Sequence, residues 1–127
     1  MIKSLLPAAT AVLTLLLAST PASAHAKLVG STPAANATVS KVTSIALRFN
    51  EKVIASTVKA EVVMTGMPGM ANHAPMPIQG KSTVGGDGKT ITVTFARPLT
   101  TGSYRVTYQI VSADTHKIQG SIDFRIR

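Results

Sequence analysis

Between Met64 and Met76, four methionines and one histidine recur at every third position: Met64, Met67, Met70, His73 and Met76. A period of three matches neither the 3.6-residue period of a helix nor the two-residue alternation of a strand. Pro68, Gly69, Pro75 and Pro77 also exclude a regular helix and interrupt a strand, so most of the stretch is expected to be a loop. Thioether sulfur is a soft donor that suits Cu(I) and holds Mg, Ca or Zn poorly. A loop carrying several thioethers and an imidazole is therefore a candidate cuprous site. Methionine also fills gaps in apolar cores and forms adaptable surfaces. Gap filling would scatter the methionines, yet all except Met1 lie within these thirteen residues. The clustering favours the metal.

A second set of donors is harder and widely separated. Asp114 and His116 stand two apart in Ser112-Ala113-Asp114-Thr115-His116-Lys117, so an extended backbone projects both to one side. An Asp-x-His pair alone is more often a turn with a surface histidine. The N-terminus sharpens it. Lys3, the apolar stretch Leu5 to Leu17, the break at Ser19-Thr20-Pro21 and the small-x-small sequence Ala22-Ser23-Ala24 read as a secretory signal peptide. The apolar run falls short of the ~20 residues of a membrane span, and no later segment approaches it. Cleavage after Ala24 leaves one domain, residues 25–127, and makes His25 the first residue. Its α-amine and imidazole Nδ1 can then close a chelate ring on one metal. Joined by Asp114 and His116 they form an N,N,N,O set that matches the tetragonal preference of Cu(II). A competing cut after Ala26, at Ala24-His25-Ala26, would discard the histidine.

Composition narrows the setting. There is no cysteine, so an exported chain has no disulfide framework, and soft-metal chemistry must use Met and His. Without the leader, 12 basic side chains face 5 acidic ones, dispersed along the chain and without interleaved aromatics. That pattern suits a solvated polar face, with at most a mild attraction to anionic lipid or an acidic partner, and excludes single-stranded nucleic acid.

The elements that must position these donors read as all-β. Strands are expected at Lys27–Val29, Thr43–Phe49, Val58–Met64, Ile78–Val84, Thr90–Phe95, Gly102–Val111 and Gly120–Ile126. Apolar and polar residues alternate in most of them, for example Ile45, Leu47 and Phe49 against Ser44, Ala46 and Arg48. Gly85-Gly86-Asp87-Gly88 marks a tight hairpin. About seven short strands with turns at roughly ten-residue spacing point to a sandwich or small Greek-key barrel.

His25-Ala-Lys-Leu, the Ser31-Thr-Pro-Ala34 turn, Leu47-Arg-Phe-Asn-Glu51, the Met-rich loop and Val111-Ser-Ala-Asp114-Thr-His116 together resemble the CopC/PcoC family of periplasmic copper-resistance proteins. The resemblance implies a Greek-key β-barrel related to cupredoxins. It implies Cu(II) at His25, Asp114 and His116, with Glu51 as a weak ligand or an acceptor behind them. It implies Cu(I) at Met64, Met67, Met70, His73 and Met76. The implied protein is periplasmic, without stable membrane insertion, and carries or buffers copper as a monomer or a copper-bridged dimer. An inner-membrane copper transporter of CopD type and a periplasmic multicopper oxidase are the implied partners. Two rivals share some of these features. A copper mono-oxygenase also uses an N-terminal His in a histidine brace, but this chain has no Trp and two Tyr from which to build an aromatic substrate surface. An immunoglobulin-like interaction domain without metal would leave the methionine cluster unexplained.

Overall fold

The computed structural model describes residues 26–71 and 73–127. Nine strands follow one another: β1 Leu28–Thr32, β2 Thr38–Val39, β3 Ser44–Phe49, β4 Lys59–Gly66, β5 Met76–Ile78, β6 Lys81–Val84, β7 Thr90–Thr94, β8 Gly102–Val111 and β9 Lys117–Ile126. A single 3₁₀ turn, Ala55–Thr57, is the one helical element among the described residues. No helix among them is long and apolar enough to cross a membrane. The strands form a four-stranded sheet in the order β1-β3-β7-β6 and a five-stranded sheet in the order β2-β9-β8-β4-β5. Every pairing is antiparallel except β2 with β9.

Alternation explains the sandwich. Ile45, Leu47 and Phe49 of β3 and Ile91 and Val93 of β7 face Tyr104, Val106, Tyr108 and Ile110 of β8 and Ile122, Phe124 and Ile126 of β9, all buried in one core. A strand that buries every second residue has its register fixed, because a slip of one would turn the apolar set to water. Aromatic pairs reinforce the layers: Tyr104 stacks on Phe124 at 5.4 Å, and Phe49 meets Tyr108 edge-on at 5.5 Å. The Tyr104 hydroxyl donates to the Thr100 carbonyl at 2.6 Å, so its burial leaves no orphaned proton.

The all-β sandwich agrees with the sequence, but the strand count is nine where about seven were expected. The two-residue β2 is too short to announce itself by alternation. The stretch expected as one strand, Ile78–Val84, is two: β5 belongs to the five-stranded sheet and β6 to the four-stranded one. The chain changes sheet at Gln79-Gly80. A Cβ on Gly80 would stand 2.6 Å from Val93 Cγ1 and 3.0 Å from Phe95 Cε1, so the corner turns flush against the core. A strand that switches sheets carries no periodicity to betray the switch. Gly80→Ala should destabilise the fold by about 1–3 kcal/mol through overpacking. Urea unfolding would show it as a lower midpoint with unchanged slope, and a wild-type midpoint would mean that the corner has room to spare.

Candidate metal centres

The hard donors sit on the connection between β8 and β9. Val111 pairs with Lys117, and the five residues 112–116 close the hairpin. Thr115 adopts a left-handed backbone (φ 72°), while the Ser112 amide donates to the His116 carbonyl at 3.0 Å and the Thr115 amide to the Ser112 carbonyl at 2.8 Å. This tight frame presents Asp114 and His116 together, with Nδ1 of the ring 3.0 Å from Oδ2 of the carboxylate. Ser112 is fully buried beneath them and donates its hydroxyl proton to Asp114 Oδ1. That bond first, and the one from His116 second, hold the Asp114 carboxyl down at about 2. Because the folded value lies below the ordinary ~3.9 of a free Asp, the contact stabilises the fold above about pH 4. It is lost as pH falls through 2.

The chain start is held at the same end. Ala26 is buried, and Lys27 donates its amide to Asn50 Oδ1 at 2.7 Å while the Asn50 amide donates to the Lys27 carbonyl at 3.2 Å. One residue on, Glu51 is half-buried. The Lys52 carbonyl then accepts from the Ala113 amide at 2.8 Å, and Val53 bridges Ser112. The segment 50–53 therefore ties the start of the chain to the loop that carries Asp114 and His116. His25 and the leader lie outside the described residues. Among the described residues no three His, Asp or Glu side chains converge as a metal site. Asp114 and His116 are brought together, and Glu51 is brought to their neighbourhood.

The methionines lie at the other end. The stretch is a hairpin between β4 and β5, and its every-third spacing resolves into two cross-strand pairs. Met64 stands opposite Met76 in the β4–β5 ladder. Met67 and Met70 face each other across a turn, each amide donating to the other's carbonyl at 2.9 Å. Pro68 and Gly69 occupy the turn's centre, with Gly69 at φ 79°, the pattern of a type II turn. Such a reciprocal pair holds its Cα atoms about 5.5 Å apart with side chains on one face. The returning chain passes so close to Gly66 that a Cβ there would collide with the Ala71 carbonyl.

The five donors of the hairpin are not equivalent. Met70 and Met76 are 54% and 47% exposed, and Met67 is half-buried against the core. Met64 is 5% exposed and belongs to the core cluster. It ends the apolar face of β4, which carries its side chain inward. His73 donates from Nδ1 to the Ala74 carbonyl at 2.7 Å, since a carbonyl can only accept. In the neutral ring the lone pair is then on Nε2, which is buried and has no hydrogen-bond partner among the described residues. A buried acceptor without a donor is costly unless something else fills it. A ring nitrogen oriented by a carbonyl on its far side is the usual arrangement of a metal-binding histidine.

The two donor sets flank opposite ends of β8. Gly66 pairs with Ser103 near its start, while Asp114 follows its last residue, Val111. Ten residues of strand separate them by roughly 30 Å at about 3.3 Å per residue. One copper ion cannot be shared between them within a chain. Ser112 was not among the residues expected from the sequence. A serine two residues before an aspartate in a hairpin connection is a known local hydrogen-bonding signal, and that spacing could have found it.

The family model for the CopC domain matches residues 28–127. The chain is 48% identical over 111 residues to copper resistance protein C of Xanthomonas campestris pv. juglandis, covering 87% of each. It is 44% identical over 112 residues to copper resistance protein C of Pseudomonas syringae pv. tomato, covering 88% of each. Among solved structures it resembles PcoC, a methionine-rich copper resistance protein from Escherichia coli. The TM-score is 0.74 at 36% identity, over 82% of this chain and 100% of that one.

Removing the Ser112 hydroxyl should release its grip on the carboxylate. In Ser112→Ala, the apo protein's Asp114 should titrate clearly above 2, moving toward ~3.9, as read by carboxyl NMR. A titration unchanged from wild type would show that His116 alone sets it.

Proposed function

The chain belongs to the CopC family, and from that premise we propose that it is a periplasmic protein that carries or buffers copper in resistance and homeostasis. It would hold Cu(I) and Cu(II) at separate ends. The observation that carries the reading is the thioether hairpin. Met67 and Met70 are pinned face to face by a hydrogen-bonded turn, Met76 is exposed beside it, and His73 has a buried nitrogen with no partner. Soft, neutral donors and one imidazole are what Cu(I) prefers and harder ions do not. Met64 is left out of this set and supports it from the core. At the other end, His25 directly precedes the buried Ala26 in the chain, which supports its joining Asp114 and His116 there. There it would add its α-amine and imidazole to their N and O donors, with Glu51 behind.

A carrier rather than an enzyme is supported by exposure. Met70 and Met76 are open to solvent, which favours exchange of ligands one at a time with a second protein over permanent storage. By the family relation, an inner-membrane transporter of CopD type or a multicopper oxidase would be that second protein.

Changing Met67, Met70 and Met76 together to Leu keeps the volume and removes the sulfur. Competition with a chromophoric Cu(I) chelator should show affinity lowered by at least ~100-fold, about 2.7 kcal/mol. Wild-type affinity in that variant would sink the cuprous reading. For Cu(II), intact mass of periplasmic protein should show a chain beginning at His25 that takes up one ion. An added Met before His25 should abolish uptake, whereas a chain beginning at Lys27 would remove this site from the proposal.

A further inference from the structure

Basic side chains lie at both ends of the sandwich; it is the acidic ones that the topology sorts. Lys41, Arg97, Arg125 and Arg127 all lie at the end of the sandwich where β8 begins, and Lys81 opens β6 there; all five are exposed. No Asp or Glu lies in the segments that close this end. Glu51, Asp87 and Asp114 belong to the opposite end, Glu61 lies in mid-strand opposite Thr107, and Asp123, which lines the first of the cavities below, is taken by Arg105 at 2.8 Å. Arg125 and Arg127 form no ion pair among the described residues. This basic end is also the thioether end. Two adjoining cavities of about 350 and 550 Å³ share Thr38, Ala71, Ser103 and Arg125, and the second is walled by Met67 and Pro68. A groove with an unpaired guanidinium in it therefore runs beside the Met67–Met70 turn.

We infer that this end is a docking surface for a protein partner that carries Asp or Glu side chains around its own Cu(I) ligands. The inference rests on the cuprous reading of the hairpin. The partner's carboxylates seat against Arg125 and Arg127, and its ligands meet the exposed Met70 and Met76 alongside. Guanidinium groups suit this role because they match carboxylates in a two-pronged fork. Charge of one sign around a transfer site steers the encounter and fixes its orientation more than it tightens the complex. A lipid surface fits less well. The exposed apolar side chains at this end are the two thioethers, whereas Val29 and Ile54 are at the other, so there is no aliphatic or aromatic wedge to enter a bilayer.

The test is Cu(I) transfer by stopped flow from the full mature chain to two synthetic peptides with one Met/His ligand set. One peptide has Asp and Glu flanks, the other Ser and Gly. At low salt the acidic peptide should accept copper at least ~10-fold faster. The advantage should vanish as ionic strength rises from about 0.01 M to about 1 M and the screening length shrinks from ~30 to ~3 Å. It should also vanish in Arg125→Glu/Arg127→Glu, and shrink in Arg125→Gln/Arg127→Gln, while transfer to the neutral peptide is unchanged. Equal rates for the two peptides in wild type, or an advantage that survives charge reversal, would overturn the docking surface. So would a charge-reversed chain that loses binding to phosphatidylglycerol vesicles yet keeps the peptide advantage, because the cations would then serve a membrane. Chelator competition on the wild type comes first. No Cu(I) binding there defeats the underlying reading, whereas normal binding with equal transfer rates defeats the docking surface alone.

Discussion

The β8–β9 ladder is the constraint on which everything else hangs. Ten consecutive pairs run from Gly102↔Ile126 to Val111↔Lys117 without a bulge. Along it Tyr104, Val106, Tyr108 and Ile110 and their partners Ile122, Phe124 and Ile126 point into the core. A ladder that long, with one face fully apolar, cannot slip by a residue without turning its core side chains to water. Its closed end must therefore present residues 112–116 in one frame, with Ser112 inside and Asp114 and His116 outside. Its open end must present Gly102 and Arg125 beside the tip of β4, where the methionine hairpin begins. Both donor sets inherit their positions from the same register.

On the proposed two-site reading, that geometry would keep two incompatible chemistries apart. Thioethers suit Cu(I) best where no harder ligand competes, and the hairpin offers none, with uncharged residues from Thr65 to Ile78. A carboxylate among the ligands themselves would favour Cu(II) over Cu(I). The acidic Asp114 is instead held at the far end of β8, where its carboxyl stays ionised down to about 2. The absence of cysteine belongs to the same logic. Thiolates would hold both oxidation states and be consumed by copper redox chemistry, whereas thioethers discriminate between them.

Much of this was legible in the sequence because period-two alternation reports burial directly. β3, β7, β8 and most of β9 were read nearly to the residue, and the donor residues stood out by type. What escaped has physical reasons. β2 gains its pairing from β9 and not from its own two residues. The Ile78–Val84 stretch crosses between sheets at Gly80, a tertiary event without a local signature. Spacing alone does not say which thioethers face the core; that depends on where β4 ends and its bulge begins, after Met64. The every-third rhythm was correctly read as neither helix nor plain strand. It could not be read as a pinned hairpin, because the Met67–Met70 and Met64–Met76 pairs have different centres.

The offset between those centres decides how the hairpin works. A symmetric hairpin would pair every residue of its outgoing strand and leave a regular ladder, with side chains alternating to opposite faces. Here the turn is centred between Pro68 and Gly69 while the β4–β5 ladder is centred on Met70, so the returning strand carries three extra residues. The excess, together with the Gly66 close approach to Ala71, takes the chain out of plain alternation. It lets His73 sit half-buried with Nδ1 tied to the Ala74 carbonyl, and leaves Nε2 without a partner. A longer, floppier loop could hold the same donors but would have to order them on each binding event. A strict ladder would order them on alternate faces. The irregular hairpin is tied where Met67 and Met70 face each other and open where Met70 and Met76 meet solvent, a combination that would suit the proposed carrier.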